Sequence, residues 1–186
     1  MEDYGKKKDQ APAATVEAED GYSGMFPEIL QWDERWGYSP YGTSIIAVSG
    51  CGPTCVSMLV VGLTGDKTVT PSVVADYATQ NHYVDENNDT TWAFMTSGVE
   101  HWGLTCRESN GNESEIAKEL EAGHPVICSM RPGDFTDIGH FIILTSYNNG
   151  NVTICDPFSL ENSKKSWNYS QISSQIKAVW YIQNNS

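Results

Sequence analysis

The chain has 186 residues, 39% of them hydrophobic and 11% aromatic, which fits one compact domain, with or without a tail, and excludes two full domains. Eleven basic against 24 acidic residues give a net charge of −13; phosphate backbones and anionic headgroups repel such a chain, so no nucleic-acid partner is expected. The longest nearly apolar run, Cys55 to Leu63, spans nine residues; crossing a bilayer takes roughly 20, and no integral membrane segment is expected.

Residues 1–23 hold Lys6-Lys7-Lys8, the Ala/Pro-rich run 11–14 and the acidic Glu17-Ala18-Glu19-Asp20, with almost nothing to build a core. They read as a flexible or disordered linker before a single domain over 24–186. Six acidic and three basic residues in this stretch account for −3, leaving −10 on the domain. A polar tail with no apolar signal region ahead of one domain suggests a secreted or cell-surface bacterial protein whose targeting segment has been removed.

From Met25 to Ser44 aromatics, Pro and Gly are dense, which predicts irregular chain pinned by aromatic packing. A helix starts at Cys51, with Pro53 in its first turn and Gly65 just past its end. It is apolar nearly all round and so belongs at the centre. Thr70-Pro71 opens a second helix running to Ala78, and Thr91 opens a third through Phe94, Met95 and Val99 to Trp102. Ser114–Ala122 is amphipathic and stops at Gly123. After it come short β-branched and aromatic runs at 125–130, 139–147, 151–155 and 178–182, with Asn148-Asn149-Gly150 as a hairpin turn. Helices first and an antiparallel sheet second make an α+β fold.

Five cysteines, an odd number without regular spacing, argue against a disulfide framework. Cys51 stands at the start of the buried helix between Gly50 and Gly52. Unpaired N–H groups and the positive end of the helix dipole favour a nucleophilic thiolate there. Cys55, one turn on, points into the core. A metal held by Cys51, Cys55 and His140 would lack a fourth ligand and the Cys-x-x-Cys spacing.

Such a nucleophile needs an imidazole with a carboxylate or amide behind it. His82, His101 and His124 fall in loops and at element ends, whereas Gly139-His140-Phe141 sets His140 at the mouth of a core strand. With the turn at 148–150, Ser146 pairs with Val152 and Ile142 with Asp156, so the Asp156 carboxylate reaches the His140 imidazole from the next strand end. Asp156 before Pro157 is also an ordinary turn former.

The series Gln31-Trp32-Asp33, Gly50-Cys51-Gly52-Pro53-Thr54, Gly139-His140-Phe141 and Asp156-Pro157 resembles the papain-like cysteine peptidases. Within them it is similar to the bacteriocin-leader-processing (C39-like) group and its stand-alone secreted bacterial relatives, over about residues 25 to 183. The resemblance implies a papain-like fold, a thiolate on Cys51, a general base and acid on His140, an orienting role for Asp156 and an oxyanion-hole amide on Gln31. Two features depart from the leader-processing members. Gln31 lies 20 residues before Cys51 instead of a few, and Gly50, not an acid, precedes Cys51.

The expected activity is thiol-dependent hydrolysis of peptide or protein substrates through an acyl-enzyme, by a monomer, with no metal or organic cofactor. Amidase, transamidase or cell-wall peptide hydrolase chemistry on the same fold, and a catalytically lapsed surface binding module, are the competing readings. The six tryptophans read as packing, with Trp32 placed to line the cleft.

Overall fold

Uninterrupted apolar runs such as Val126–Cys128 and Phe141–Leu144 suit strands covered on both faces. The computed structural model, which describes residues 9–185, has that arrangement. Strands β1 (Tyr22–Ser23) and β2 (Phe26–Pro27) pair with each other, as do β3 (Pro40–Tyr41) and β4 (Ser44–Ile45). The main sheet is antiparallel and takes β5 (Leu104–Ser109), β6 (Val126–Met130), β7 (His140–Asn148), β8 (Asn151–Cys155), β9 (Ser166–Asn168) and β10 (Ile176–Asn184). Their order is β5-β10-β6-β7-β8-β9.

The two-residue period of a strand sorts the core into two layers. Ile127, Phe141, Ile143, Ala178, Trp180 and Ile182 face the central helix, Cys51–Thr64. Cys128, Ile142, Leu144, Val179 and Tyr181 face the opposite way, onto Ile116 and Leu120 of the helix Glu113–Glu121 and onto Ile172. The expected α+β fold is therefore present, with helices on both faces of the sheet.

The central helix begins at Cys51 and ends on Gly65, left-handed at φ 78, whose N–H bonds Val61 O. Every residue from Gly52 to Val61 is buried. The glycines beside Cys51 are required by space. A Cβ on Gly50 would stand 2.4 Å from Ile46 Cγ2, and one on Gly52 2.2 Å from Thr90 Oγ1. The second helix, Pro71–Gln80, is capped by Thr70.

Some expectations need correction. Residues 1–8 of the expected linker lie outside the described residues, but its later part is docked. Val16 is buried in the core, its N–H bonds Lys67 O (2.8 Å), and Ala13 N–H bonds Arg35 O (2.8 Å). One valine among polar residues has no period to betray it. The third helix is a π-helix, Phe94–Gly98, followed by a 3₁₀ turn, Val99–Trp102. The apolar spacing Phe94, Val99 is a π-helical one, five residues apart. Strands β5 and β9 escaped notice because each lies at a sheet edge and buries few side chains.

Candidate active site

The hairpin of β7 and β8 brings the distant half of the site together. Near its turn Ser146 pairs with Thr153, one residue off the expected register, and a bulge at Thr145 then shifts the ladder so that Ile143 pairs with Cys155. Continued one step, that register puts Asp156 opposite Ile142, as the spacing predicts. His140 Nε2 lies 2.7 Å from Asp156 Oδ1. The other ring nitrogen, Nδ1, is not used by Asp156, and the Cys51 side chain is close enough to raise the imidazole pKa.

Both partners of this bond are buried: the His140 side chain is 8% exposed and that of Asp156 1%. Burial alone would push the imidazole toward neutrality, but the hydrogen bond it donates to the Asp156 carboxylate and the influence of Cys51 outweigh it. Together they raise His140 from 6.5 to about 10. His140 therefore stands as an imidazolium at neutral pH.

The Asp156 carboxylate is itself held from three sides. Oδ1 also accepts from Phe158 N–H (2.9 Å), and Oδ2 accepts from Asn162 Nδ2 (2.9 Å). Its backbone N–H donates to Ser163 Oγ (2.8 Å). The Phe158 ring meets the His140 ring edge-on, with centroids 6.5 Å apart. Sequence reading missed Phe158, Asn162 and Ser163. The only signal was Ser159, which caps the single helical turn that carries Asn162.

Gln31 lines the same cleft as Cys51 and His140. Its backbone N–H donates to Pro157 O (2.7 Å), and Trp32 Nε1 donates to Phe158 O (2.9 Å), so residues 31–32 are clamped to the turn that follows Asp156. The Gln31 side chain is buried. Nε2 donates to Ala47 O (3.2 Å) and Ile46 O (3.4 Å), while Oε1 has no partner among the described residues.

The cleft has a volume of about 730 Å³. Asp89, Asp134 and Asp137 line it with the apolar Val48, Ile138 and Phe158, and no Lys or Arg does. Of the five cysteines, Cys51 alone reaches it. Cys55 turns its thiol onto Phe141 O (3.5 Å), away from the metal arrangement weighed above. Burial pushes Cys106 and Cys155 up to about 12 and raises Cys55 and Cys128 as well, so these four stay protonated. The other histidines are engaged elsewhere: His124 on Glu119 (2.8 Å) and His101 stacked on Tyr77, while His82 does not line the cleft.

Among the described residues no helix is long and apolar enough to cross a membrane. The chain matches the Peptidase_C39 like family over residues 7–186. Among solved structures, the peptidase domain of Streptococcus ComA, a bifunctional ABC transporter of a quorum-sensing pathway, aligns with a TM-score of 0.57 at 12% identity. That alignment covers 74% of this chain and 93% of the other. A C39-like chain from Bacillus anthracis aligns over 92% of this chain and 98% of its own, at 16% identity and a TM-score of 0.44. No curated protein matches. The ComA domain supports the papain-like fold.

Proposed function

Because the chain belongs to the Peptidase_C39 like family, we propose that it hydrolyses peptide bonds with Cys51 as nucleophile, His140 as acid and base, and Asp156 as the group that orients His140. The observation that carries this reading is the 2.7 Å bond between the His140 ring and the Asp156 carboxylate, with Cys51 on the same cleft and acting on that ring. A thiol, an imidazole and a carboxylate so placed meet the needs of acyl transfer.

The sulfur anion of Cys51, paired with the His140 imidazolium, attacks the substrate carbonyl and forms a C–S bond. Charge moves onto the carbonyl oxygen, where the Cys51 N–H and Gln31 Nε2 receive it. For Gln31 this means turning its amide off two long bonds to Ala47 O and Ile46 O. The C–N bond then breaks as His140 Nδ1 delivers its proton to the leaving amine. Water enters, gives a proton to His140, adds to the thioester and expels the Cys51 sulfur, releasing the acid. Throughout, Asp156 keeps Nε2 protonated and the ring turned toward the sulfur.

The test is peptide turnover by the wild type, Cys51→Ala and Cys51→Ser, read by mass spectrometry of the products. Loss of roughly a thousandfold or more is expected in both variants. Undiminished turnover by Cys51→Ala overturns the reading. Repeating the reaction with an added amine separates hydrolysis from amide transfer.

A further inference from the structure

A second cavity, about 530 Å³, opens between the β1–β2 hairpin, the bulged part of β7 and β8, and residues 163–166. Its wall carries the Glu28 carboxylate. Glu28 is 7% exposed, and no hydrogen bond or ion pair reaches its carboxylate among the described residues. A carboxylate that is partly desolvated and receives no donor from the protein costs some stability, and its oxygens keep access to the cavity they face. Burial pushes its pKa up, opposed by the charge of Lys164 nearby. A group kept at such a cost, facing an open cavity, calls for a ligand that supplies donors.

The remaining walls define that ligand. Ser23, Thr145, Thr153 and Ser146 form a chain of hydroxyls with contacts of 2.7, 2.8 and 2.6 Å. Three contacts among four hydroxyls consume three hydrogens and leave one to donate, with lone pairs free to accept. Tyr22 stands at the rim, 53% exposed, and offers a ring face. A simple cation is disfavoured by Lys164, and an anion by Glu28. Neighbouring hydroxyls on a neutral ring can donate to Glu28 and accept from Lys164 at once, while the C–H face of that ring packs on Tyr22.

We infer that this cavity is a carbohydrate-binding site, with Glu28 as the central acceptor and Tyr22 as the stacking platform. It lies apart from the cleft of Cys51 and His140 and does not depend on the reading of that cleft. Ser163 lines this cavity and bonds the Asp156 backbone, and so joins the two.

The experiment is a ¹H–¹⁵N titration of the full chain with methyl β-glucopyranoside, an N-acetylglucosamine trisaccharide and a mannose trisaccharide, with putrescine as the cationic control. At least one saccharide is expected to shift the amides of 22–28 and 145–153. Glu28→Gln, which keeps the shape, is expected to weaken that saccharide about tenfold, since a hydrogen bond to a charged group is worth on the order of 1.5 kcal/mol. Tyr22→Ala, on the exposed hairpin, is expected to weaken it too. The unliganded Glu28→Gln protein should melt higher than wild type. If no saccharide moves these amides, if putrescine alone does, or if both variants bind as wild type, the proposal is overturned. Peptide turnover is measured alongside and should stay at the wild-type level in both variants.

Discussion

Asn162 Nδ2 donates to Asp156 Oδ2 over 2.9 Å, on the carboxylate oxygen that His140 does not use. The bond stops the carboxylate from rotating about its own axis and so fixes the direction in which Oδ1 meets the ring. Asn162→Ala is expected to lower kcat about tenfold with little change in KM, the value of one charge-assisted hydrogen bond. A purely structural role would lower the melting temperature and leave the pH profile in place. A positioning role moves the alkaline limb of kcat/KM downward, because a less constrained Asp156 supports the imidazolium less well.

His140 is raised from 6.5 to about 10, and the sign of its effect on stability follows. Between these values the folded protein binds a proton that the unfolded chain has lost. The stabilisation is therefore complete below pH 6.5 and disappears as pH climbs to about 10, with a slope of up to about 1.4 kcal/mol per pH unit. In a Cys51→Ala background, where no thiol gives up a compensating proton, melting curves across this range should fall, and fall less when His140→Gln is added. Activity should show an alkaline limb near pH 10, where His140 no longer has a proton for the leaving amine. A Cys51→Ala curve as flat as that of the double variant contradicts the coupling of His140 to Asp156.

The same coupling governs the reactivity of the sulfur. Iodoacetamide at pH 6 is expected to alkylate Cys51 at least tenfold faster in wild type than in His140→Ala, since the imidazolium stabilises the sulfur anion. The buried thiols of Cys55, Cys128 and Cys155 serve as internal controls and should stay unlabelled in the folded protein, and half-buried Cys106, with its pKa raised to about 12, should react slowly. Equal rates in the two proteins would mean that Cys51 is an ordinary thiol, as a lapsed binding module would have.

Asp89, Asp134 and Asp137 face the cleft with no ion pair among the described residues. Asp134 is held by neutral amides only, from Gln175 (2.7 Å) and Gln171 (3.4 Å). Lys-rich peptides should therefore be cleaved with higher kcat/KM than Glu-rich ones of the same length. The two rates should converge as salt rises, because exposed charges are screened within about 10 Å at 0.1 M. Asp137→Asn together with Asp89→Asn should narrow the gap at low salt. A preference that survives high salt and both substitutions has another origin.

How far the sequence could be read depended on how local the signal was. The central helix announces itself through Pro53, Gly65 and an apolar run, and the pairing of His140 with Asp156 follows from counting outward from an Asn-Gly turn. The bulge at Thr145 has no sequence marker, yet it decides whether the count holds at the far end. Asn162 and Phe158 reach Asp156 through a turn whose shape is set by tertiary packing. The edge strand at Leu104 alternates too weakly to be seen. The docked part of the leading segment rests on Val16 and on backbone bonds to Arg35 and Lys67, which no periodicity encodes.

Gly52 has a spatial reason that the resemblance alone does not supply. Any side chain there would enter the space of Thr90, whose Oγ1 lies 2.5 Å from the Tyr41 hydroxyl. Gly52→Ala should therefore destabilise the protein by about 1–3 kcal/mol, the usual cost of overpacking a closed core, despite the gain in helix propensity. Because Cys51 is the preceding residue, the displaced helix start also shifts the sulfur from His140, and turnover should fall more than stability does. Adding Thr90→Ala makes room for the methyl group. Were overpacking the cause, the double variant would recover stability relative to Gly52→Ala, as a double-mutant cycle in denaturant would report. Additive losses would mean that Gly52 is needed for its backbone freedom instead.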